Sequence, residues 1–392
     1  MIVIGMMSGT SVDAIDTAAA DLTWRGADIV LRPLGHRETA WPAALRARLL
    51  AALPPATTTM EAVCALDVLA GQAFGDAARR AVETLAGGRA DLIVSHGQTV
   101  FHWVEAGHAH GTLQIGQPAC IVEATGLPVL SDIRARDIAA GGQGAPLAGT
   151  LDGLWLARSD GKRRAALNLG GIANITVVGR ADEPAPAYDT GPANCLLDVE
   201  AARLSGGAET CDRDGRLAFS GTVRADLLER LLAEPYYALP PPKSTGRELF
   251  HTNYLTPMLA GLPSVAPADL MATLTELTAV TVARDCAAHG VVEVVVSGGG
   301  ARNPALMAAL ARHLAPSSLV SSEARGLPAD GKEAYLMALI GFLTWYSVPG
   351  VTQGATGSRT PRVLGRISPG DSPLRMPDPA PRPRALIIEP RP

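Results

Sequence analysis

Cysteine is scarce in this 392-residue chain, which has five, and Cys64, Cys120, Cys195, Cys211 and Cys286 show no CxxC spacing. A disulfide framework and a structural zinc site are thereby excluded, and the thiols read as reduced. No apolar run approaches the ~20 residues of a membrane-spanning helix. The N-terminus lacks the basic flank and apolar core of a signal peptide, so the expected compartment is the cytoplasm. Neither sign of charge dominates: the formal net charge is −4 and the pI about 6.1. Nothing draws the surface to nucleic acid or anionic lipid, which leaves a small molecule as the expected partner. Two phosphate signatures are also missing. The Gly-, Ser- and Thr-rich loop near the start has no lysine, so it is not a Walker loop, and no GxGxxG marks a dinucleotide site.

The chain is longer than one hydrophobic core usually supports, which predicts two domains of roughly 150 to 200 residues. With 47% hydrophobic and 18% charged residues it is a globular protein with an ample core.

Chemistry enters at MMSGTSVDAID, Met6 to Asp16. Ile2 to Ile4 form a short buried strand that stops at Gly5 and opens a loop. Its successive N–H groups make a concavity suited to phosphate oxygens, Ser8, Thr10 and Ser11 add hydroxyls, and Asp13 and Asp16 are placed for a divalent cation. A Ser/Thr-rich turn with capping carboxylates is the plainer reading of the same residues. Strands over Thr17 to Trp24 and Asp28 to Thr39, then helices over Pro42 to Leu53 and Met60 to Ala86, follow from alternation and from three- and four-residue spacing.

A short strand, Leu92 to Val94, runs into SHGQT, Ser95 to Thr99, and polar side chains at a strand end are where open α/β sheets place ligand contacts. His96, His102, His108 and His110 lie close in sequence, but without a carboxylate or cysteine at ligand spacing they read as hydrogen-bonding groups. Pro128 to Ile133 is a further strand with a charged end: Asp132, Arg134, Arg136 and Asp137 precede the flexible Gly141-Gly142-Gln143-Gly144. Arg134 there suits a substrate carboxylate, or belongs to a solvated charge cluster.

The second half repeats the pattern. NLGGIANIT, Asn168 to Thr176, is a second glycine hairpin, able to grip a polyphosphate opposite the first. In YDTGPANCLLD, Asp189 ends a strand before a glycine-proline turn, where it is a candidate general base or an ordinary turn aspartate. From about Gly206 to Pro263 the sequence reads as irregular, with Pro240-Pro241-Pro242 marking an extended excursion. Val291 to Val296 is an apolar strand ending in SGGGARNP, where the glycines let a base or ribose lie close to the backbone. Gly331 to Trp345 is the last strong helix, with Lys332 and Glu333 in its first turn. Beyond Gly370 a Pro- and Arg-rich, disordered tail is expected.

On GMMSGTSVDAID, SHGQTVFH, IGQPA, DIRARDIAAGGQGAPL, NLGGIANIT, DTGPANCLLD, SGGGARNP and DGKEAYLMALIGF, the chain resembles the anhydro-N-acetylmuramic acid kinases of the actin, hexokinase and Hsp70-type ATPase superfamily. The resemblance implies an α/β fold of two ribonuclease H-like domains flanking a central nucleotide cleft. They are expected at 1–130, with a contribution from the C-terminal helix region, and at 131–370, followed by the tail at 371–392. It implies ATP and Mg2+ as cofactors and an amino sugar, 1,6-anhydro-N-acetylmuramic acid, as substrate, with a homodimer left open. Gly9, Thr10, Ser11, Val12, Asp13 and Asp16 would hold phosphates, with Asp13 the metal ligand. Asn168, Gly170, Gly171 and Asn174 would form the opposing loop, and Gly298, Gly299, Gly300 and Asn303 would contact the adenosine. Asp189 would be the base and Glu333 its catalytic partner, with Ser95, His96, Gln98, Asp132 and Arg134 on the sugar side.

Three departures stand out: Ala14 and Ala193 replace usual glycines, and Ile133 an aromatic. If the backbone needed positive φ at either alanine, the methyl group would cost about 1 kcal/mol or more. A non-catalytic ATP- and sugar-binding sensor and a related hexose kinase are the other readings of these residues.

Overall fold

The computed structural model describes all residues except Thr10, Ala106, Ala181, Asp182, Pro184, Pro242, Arg247, Thr252, 352–355 and 391–392. Among the described residues the strands are β1 (Ile2–Ser8), β2 (Ala14–Arg25), β3 (Asp28–Ala40), β4 (Leu92–Glu105), β5 (His108–Ile115), β6 (Val129–Ser131), β7 (Arg163–Leu169), β8 (Ile172–Val178), β9 (Ala187–Pro192), β10 (Val291–Ser297), β11 (Ser318–Ser321), β12 (Arg366–Ser368) and β13 (Leu386–Ile388). The chain divides into two units, one comprising Met1–Trp155 and Gly326–Pro392, the other Leu156–Arg325.

In the first unit the sheet order is β12-β6-β4-β1-β2-β3-β13, with β5 paired to β4. β1, β2 and β3 form an antiparallel meander, and β4 and β6 add parallel to β1. The second unit builds the same pattern from β9-β8-β7-β10-β11: β7, β8 and β9 meander, and β10 and β11 run parallel to β7. This meander-plus-two-parallel order is the ribonuclease H-like arrangement, and each unit carries it once. Among the described residues no helix is long and apolar enough to cross a membrane.

The helices follow local chemistry. Met60–Thr84 starts at Thr59, whose side chain accepts from the Ala62 N–H, and Pro118–Thr125 starts with proline in its first turn and ends at Gly126 in the left-handed region. Both pack on one side of the first sheet, in a core of Ile4, Met6, Phe74, Ile93 and Ile121. The helix Lys332–Trp345 packs on β1, β2 and β4, and from Ala334 through Thr344 it is entirely buried. It lies very close to the sheet. A Cβ on Gly5 would fall on the Ala334 carbonyl and 2.6 Å from the Ala338 nitrogen, and a Cβ on Gly341 would overlap Val94.

Four expectations from the sequence are corrected. The division falls at 155/156 and 325/326 rather than at 130/131, because the run after β6 packs with the first sheet before the chain crosses. The tail is ordered at 386–388, where β13 adds parallel to β3 and Glu389 pairs with Arg25 and Arg32. Ion pairs and edge pairing outweigh its Pro-rich composition. The irregular region after Gly206 contains the helices Arg216–Ser220, Ala225–Leu232 and Leu255–Leu259, which share a core of Leu227, Leu231, Tyr236, Phe250 and Leu274. Finally, β4 does not stop at Val94 but runs to Glu105 and turns into β5.

Gly5→Ala places a methyl group in backbone that cannot retreat. It should destabilise the protein by about 2 kcal/mol or more and lower the thermal unfolding midpoint by several degrees. A midpoint equal to that of the unsubstituted chain would contradict the close contact.

Candidate functional site

The turn between β1 and β2 is tied from below. Ser8 Oγ lies 2.8 Å from Gln98 Oε1 and 2.9 Å from the Ala14 carbonyl, Trp41 Nε1 donates to Ser8 Oγ at 3.2 Å, and Gln98 Nε2 donates to the Gly9 carbonyl at 3.1 Å. At the turn itself the Val12 N–H donates to the Gly9 carbonyl at 3.1 Å, with Val12 at φ +55°. A buried β-branched residue in that region is strained, and such strain persists where the surroundings over-determine it. The N–H groups of Ser11 and Asp13 have no partner among the described residues and are free for an anion. Thr10 lies outside the described residues.

The two aspartates differ. Asp13 is exposed and its Oδ1 pairs with Arg46 at 3.0 Å. Asp16 is half-buried, and burial together with Glu38, Glu333 and Asp330 pushes its carboxyl up to about 7. Among the described residues no three His, Cys, Asp or Glu side chains gather at metal-ligand spacing. A hard divalent cation fits Asp16 all the same. Such an ion commonly takes one or two carboxylates and completes its shell with phosphate oxygens and water, and it would relieve the like charges.

On the sugar-side residues the first unit is selective. Gln98 is fully buried with its amide committed to Ser8, Gly9 and Thr99, so it positions the turn instead of facing a ligand. His96 is 2% exposed; its Nδ1 lies 3.0 Å from the Gly97 carbonyl, which fixes the proton there, and Nε2 accepts from Arg134 Nε at 2.7 Å. Burial and the Arg134 charge lower the His96 pKa to about 3. Arg134 Nη1 donates to the Gly144 carbonyl at 2.6 Å, leaving Nη2 without a partner among the described residues. Glu333 keeps solvent access yet lies low among protein atoms; desolvation raises its carboxyl, opposed by Arg134 and Lys332. Lys332 in turn pairs with the buried Asp152 at 2.8 Å. Ser95, His96 and Asp132 line an open pocket of about 750 Å³, and Asp132, at φ +53°, lies 3.6 Å from Arg366.

In the second unit two of the predicted glycine turns meet. Gly298, at φ +85°, admits no side chain: a Cβ would lie 2.6 Å from Asn168 Oδ1 and 2.9 Å from the Leu169 carbonyl. Gly300 packs against Leu169, and Asn194 Nδ2 donates to the carbonyls of Leu169 and Gly170 at 3.0 and 2.7 Å. The Gly170 and Gly171 N–H groups have no partner among the described residues. Asn303 Oδ1 caps the helix Pro304–Leu314 by accepting from the Ala305 and Leu306 N–H groups, so only its Nδ2 is available to a ligand.

Register places Asn168 opposite Asn174 and Asn174 opposite Asp189, a row across β7, β8 and β9. Asp189 is half-buried. Its Oδ2 accepts from Ser244 Oγ at 2.9 Å and the Thr245 N–H at 3.0 Å, while Oδ1 has no partner among the described residues. Desolvation raises its carboxyl, against the lowering effect of those two bonds. Ser244, Thr245 and Tyr236, whose hydroxyl donates to the Asp189 carbonyl at 2.7 Å, were invisible in the sequence, because they lie in the segment that carries no periodicity.

The substituted glycines are resolved. Ala14 begins β2 and is not among the residues with positive φ, and Ala193 sits at φ −114°. Neither methyl group strains its turn; the positive φ of the first loop belongs to Val12. Ile133 is buried, 1% exposed.

A family model described as anhydro-N-acetylmuramic acid kinase matches residues 1–370. The anhydro-N-acetylmuramic acid kinase of Streptomyces coelicolor is 56% identical over 387 residues, 99% of this chain and 98% of that relative. That of Rhodococcus erythropolis is 52% identical, covering 94% of each chain, and that of Acaryochloris marina 38% identical, covering 94% and 99%. Among solved structures, the activator of 2-hydroxyisocaproyl-CoA dehydratase from Clostridium difficile with bound ADPNP aligns at a TM-score of 0.41 and 13% identity, covering 87% of this chain and 94% of that one.

The His96 geometry makes a spectroscopic prediction. Its imidazole should show the Nδ1-protonated neutral tautomer by nitrogen NMR at every pH above about 4, given a pKa lowered to about 3. A ring that titrates near 6.5, the ordinary histidine value, would refute the Arg134 bond.

Proposed function

The chain belongs to the anhydro-N-acetylmuramic acid kinase family, and on that premise we propose how its own residues divide the reaction. The enzyme consumes ATP and water, opens 1,6-anhydro-N-acetylmuramic acid and yields N-acetylmuramic acid 6-phosphate and ADP, a step of cell-wall recycling. The 6-oxygen of that sugar is tied to the anomeric carbon, so no hydroxyl waits there for phosphate. Ring opening and phosphoryl transfer must be coupled.

In this reading Asp189 Oδ1 takes a proton from water as the water oxygen bonds to the anomeric carbon. The bond from that carbon to the 6-oxygen breaks, and the freed oxygen displaces ADP from the γ-phosphorus. The observation that carries the reading is the asymmetric seat of Asp189. One oxygen is locked by two donors and the other is unengaged, as a positioned base requires. Glu333 and the Arg134 guanidinium orient the sugar and water, with Nη2 suited to the substrate carboxylate. The N–H groups of Ser11, Asp13, Gly170 and Gly171 hold phosphate oxygens, and the glycines at 298–300 pass the nucleoside close to the backbone. Bound Mg2+, held by Asp16, would supply charge neutralisation at the transferring phosphoryl group. ATP as co-substrate puts the activity in the cytoplasm.

Incubated with ATP, Mg2+ and the anhydro-sugar, the protein should release ADP only when sugar is present, and label from 18O-water should enter the anomeric hydroxyl. Binding without turnover would mean a sensor, and faster turnover of glucose or free N-acetylmuramic acid would mean an ordinary hexose kinase. Asp189→Asn should lower kcat by about 10²- to 10⁴-fold with little change in ATP affinity; more than about a tenth of the original rate would rule out the base role. The acidic limb of the kcat/KM profile should lie above the ordinary carboxylate range, since the active base is unprotonated and its pKa is raised by burial. Asp16→Asn should raise the Mg2+ concentration needed for half-maximal rate; an unchanged requirement would place the cation elsewhere.

A further inference from the structure

We infer that Lys243 is a positioning residue for the reaction, the latch that holds the segment around residues 236–245 against Asp189. The inference rests on the base role proposed for Asp189. β9 is the edge of its sheet, so the base sits on a strand with one side unpaired by any other strand. At Asp189 the hydrogen bonds on that side come from the segment. The Asp189 N–H donates to the Lys243 carbonyl at 3.1 Å, the Asp189 carbonyl accepts from Tyr236 Oη at 2.7 Å, and Oδ2 accepts from Ser244 Oγ and the Thr245 N–H. All four bonds come from one excursion. Among its described residues only the short turn Pro235–Ala238 is helical.

Tyr236 and Tyr237 anchor the start of the segment, packed on Phe250 in the buried core, and the Lys243 ammonium ties the residues beside Asp189 back to that anchor. Nζ donates to the Tyr237 carbonyl at 3.3 Å, closing the excursion on itself, and lies over the rings of Tyr236 and Tyr188 at 5.1 and 5.8 Å from their centroids. A cation held between two aromatic faces is attracted to both. From the helix Pro267–Ala288, Asp285 faces this ammonium and supplies the opposing charge, and His289 Nε2 bonds the Tyr188 hydroxyl at 2.8 Å. The same ammonium borders a pocket of about 270 Å³ with Glu234, Tyr237, Arg284 and Asp285, space into which the side chain can swing once its hold fails. Glu248 is the other charge felt by Asp189, and it raises that carboxyl.

Loss of the latch therefore has a signature distinct from loss of stability. Donors to a carboxylate favour its charged form, so releasing Ser244 and Thr245 leaves a base that is both misplaced and harder to ionise. In Lys243→Met, kcat/KM for the anhydro-sugar should fall about ten- to hundredfold, and the acidic limb should move to higher pH by about 0.5 or more. KM for ATP should stay within about twofold, because the latch touches none of the glycine turns. Lys243→Arg, which keeps a cation over the rings, should restore most of the rate and the original limb. Ser244→Ala should shift the limb in the same direction while keeping the lysine, as loss of a donor alone, and Lys243→Gln carries the test should Lys243→Met not fold.

An unshifted limb in Lys243→Met, or in Lys243→Gln if only that variant folds, overturns the inference, as does a fall in thermal stability with an unchanged pH profile. That failure is distinguishable from failure of the base role. If Asp189→Asn is inactive while the Lys243 variants behave as the unsubstituted enzyme, Asp189 remains the base and only the latch is wrong; if Asp189→Asn turns over, both fall.

Discussion

The first unit depends on one approach of backbone to backbone. At Gly5 the sheet meets the helix backbone with no side chain between, and at Gly341 the Val94, Leu92 and Val3 side chains of the sheet press on the helix backbone, so the helix Lys332–Trp345 cannot slide or roll without a clash. Close packing of this kind transmits position with little slack. It delivers Glu333, in the first turn of that helix, to within electrostatic reach of Asp16 on β2 and Arg134 beyond β6. Three charged groups from three parts of the chain thereby share one neighbourhood. The cost is a carboxylate cluster that resists full ionisation, which a cation or a phosphate-bound metal would relieve.

The second unit solves a related problem by other means. Its glycines stack the SGGG turn on the NLGG hairpin, and Asn194 braces the hairpin from the start of its helix. The acidic group is then fixed from outside the sheet by a segment of the chain that has almost no regular structure. Two hydrogen bonds hold the backbone of Asp189 and two more hold one oxygen of its carboxylate, and each is directional. One unit thus relies on steric exclusion and the other on a local polar lattice.

Much of this was legible in the residues. Short apolar runs gave the strands, and the turns at Gly170-Gly171 and Gly298 fall just beyond strand ends, while Asp189 falls in β9 and Glu333 in the first turn of the last long helix. The unreadable parts share a physical cause. Gln98 and Ser8 look like ligand groups in sequence, yet side-chain to side-chain bonding across β1 and β4 turns them inward. Asp13 reads as a free carboxylate in the sequence, yet Arg46, from a helix more than thirty residues on, pairs with it. Ser244 and Thr245 carry no periodic signal, since the bonds they make depend on tertiary placement alone. The Pro- and Arg-rich end reads as unstructured by composition, and only the free edge of β3 explains why it pairs.

That last pairing bears on how the chain comes into being. Residues 156–325 form one uninterrupted unit, whereas the other unit needs both the first 155 residues and the final 67 or so, down to the strand at 386–388. A ribosome releases these in order. The inserted unit can therefore close while its host still waits for the helix Lys332–Trp345 and the strand at 386–388, and the host sheet keeps an open flank until those residues are made. Deletion of residues 386–388 acts on this closing stage of assembly, and not on a dispensable appendage.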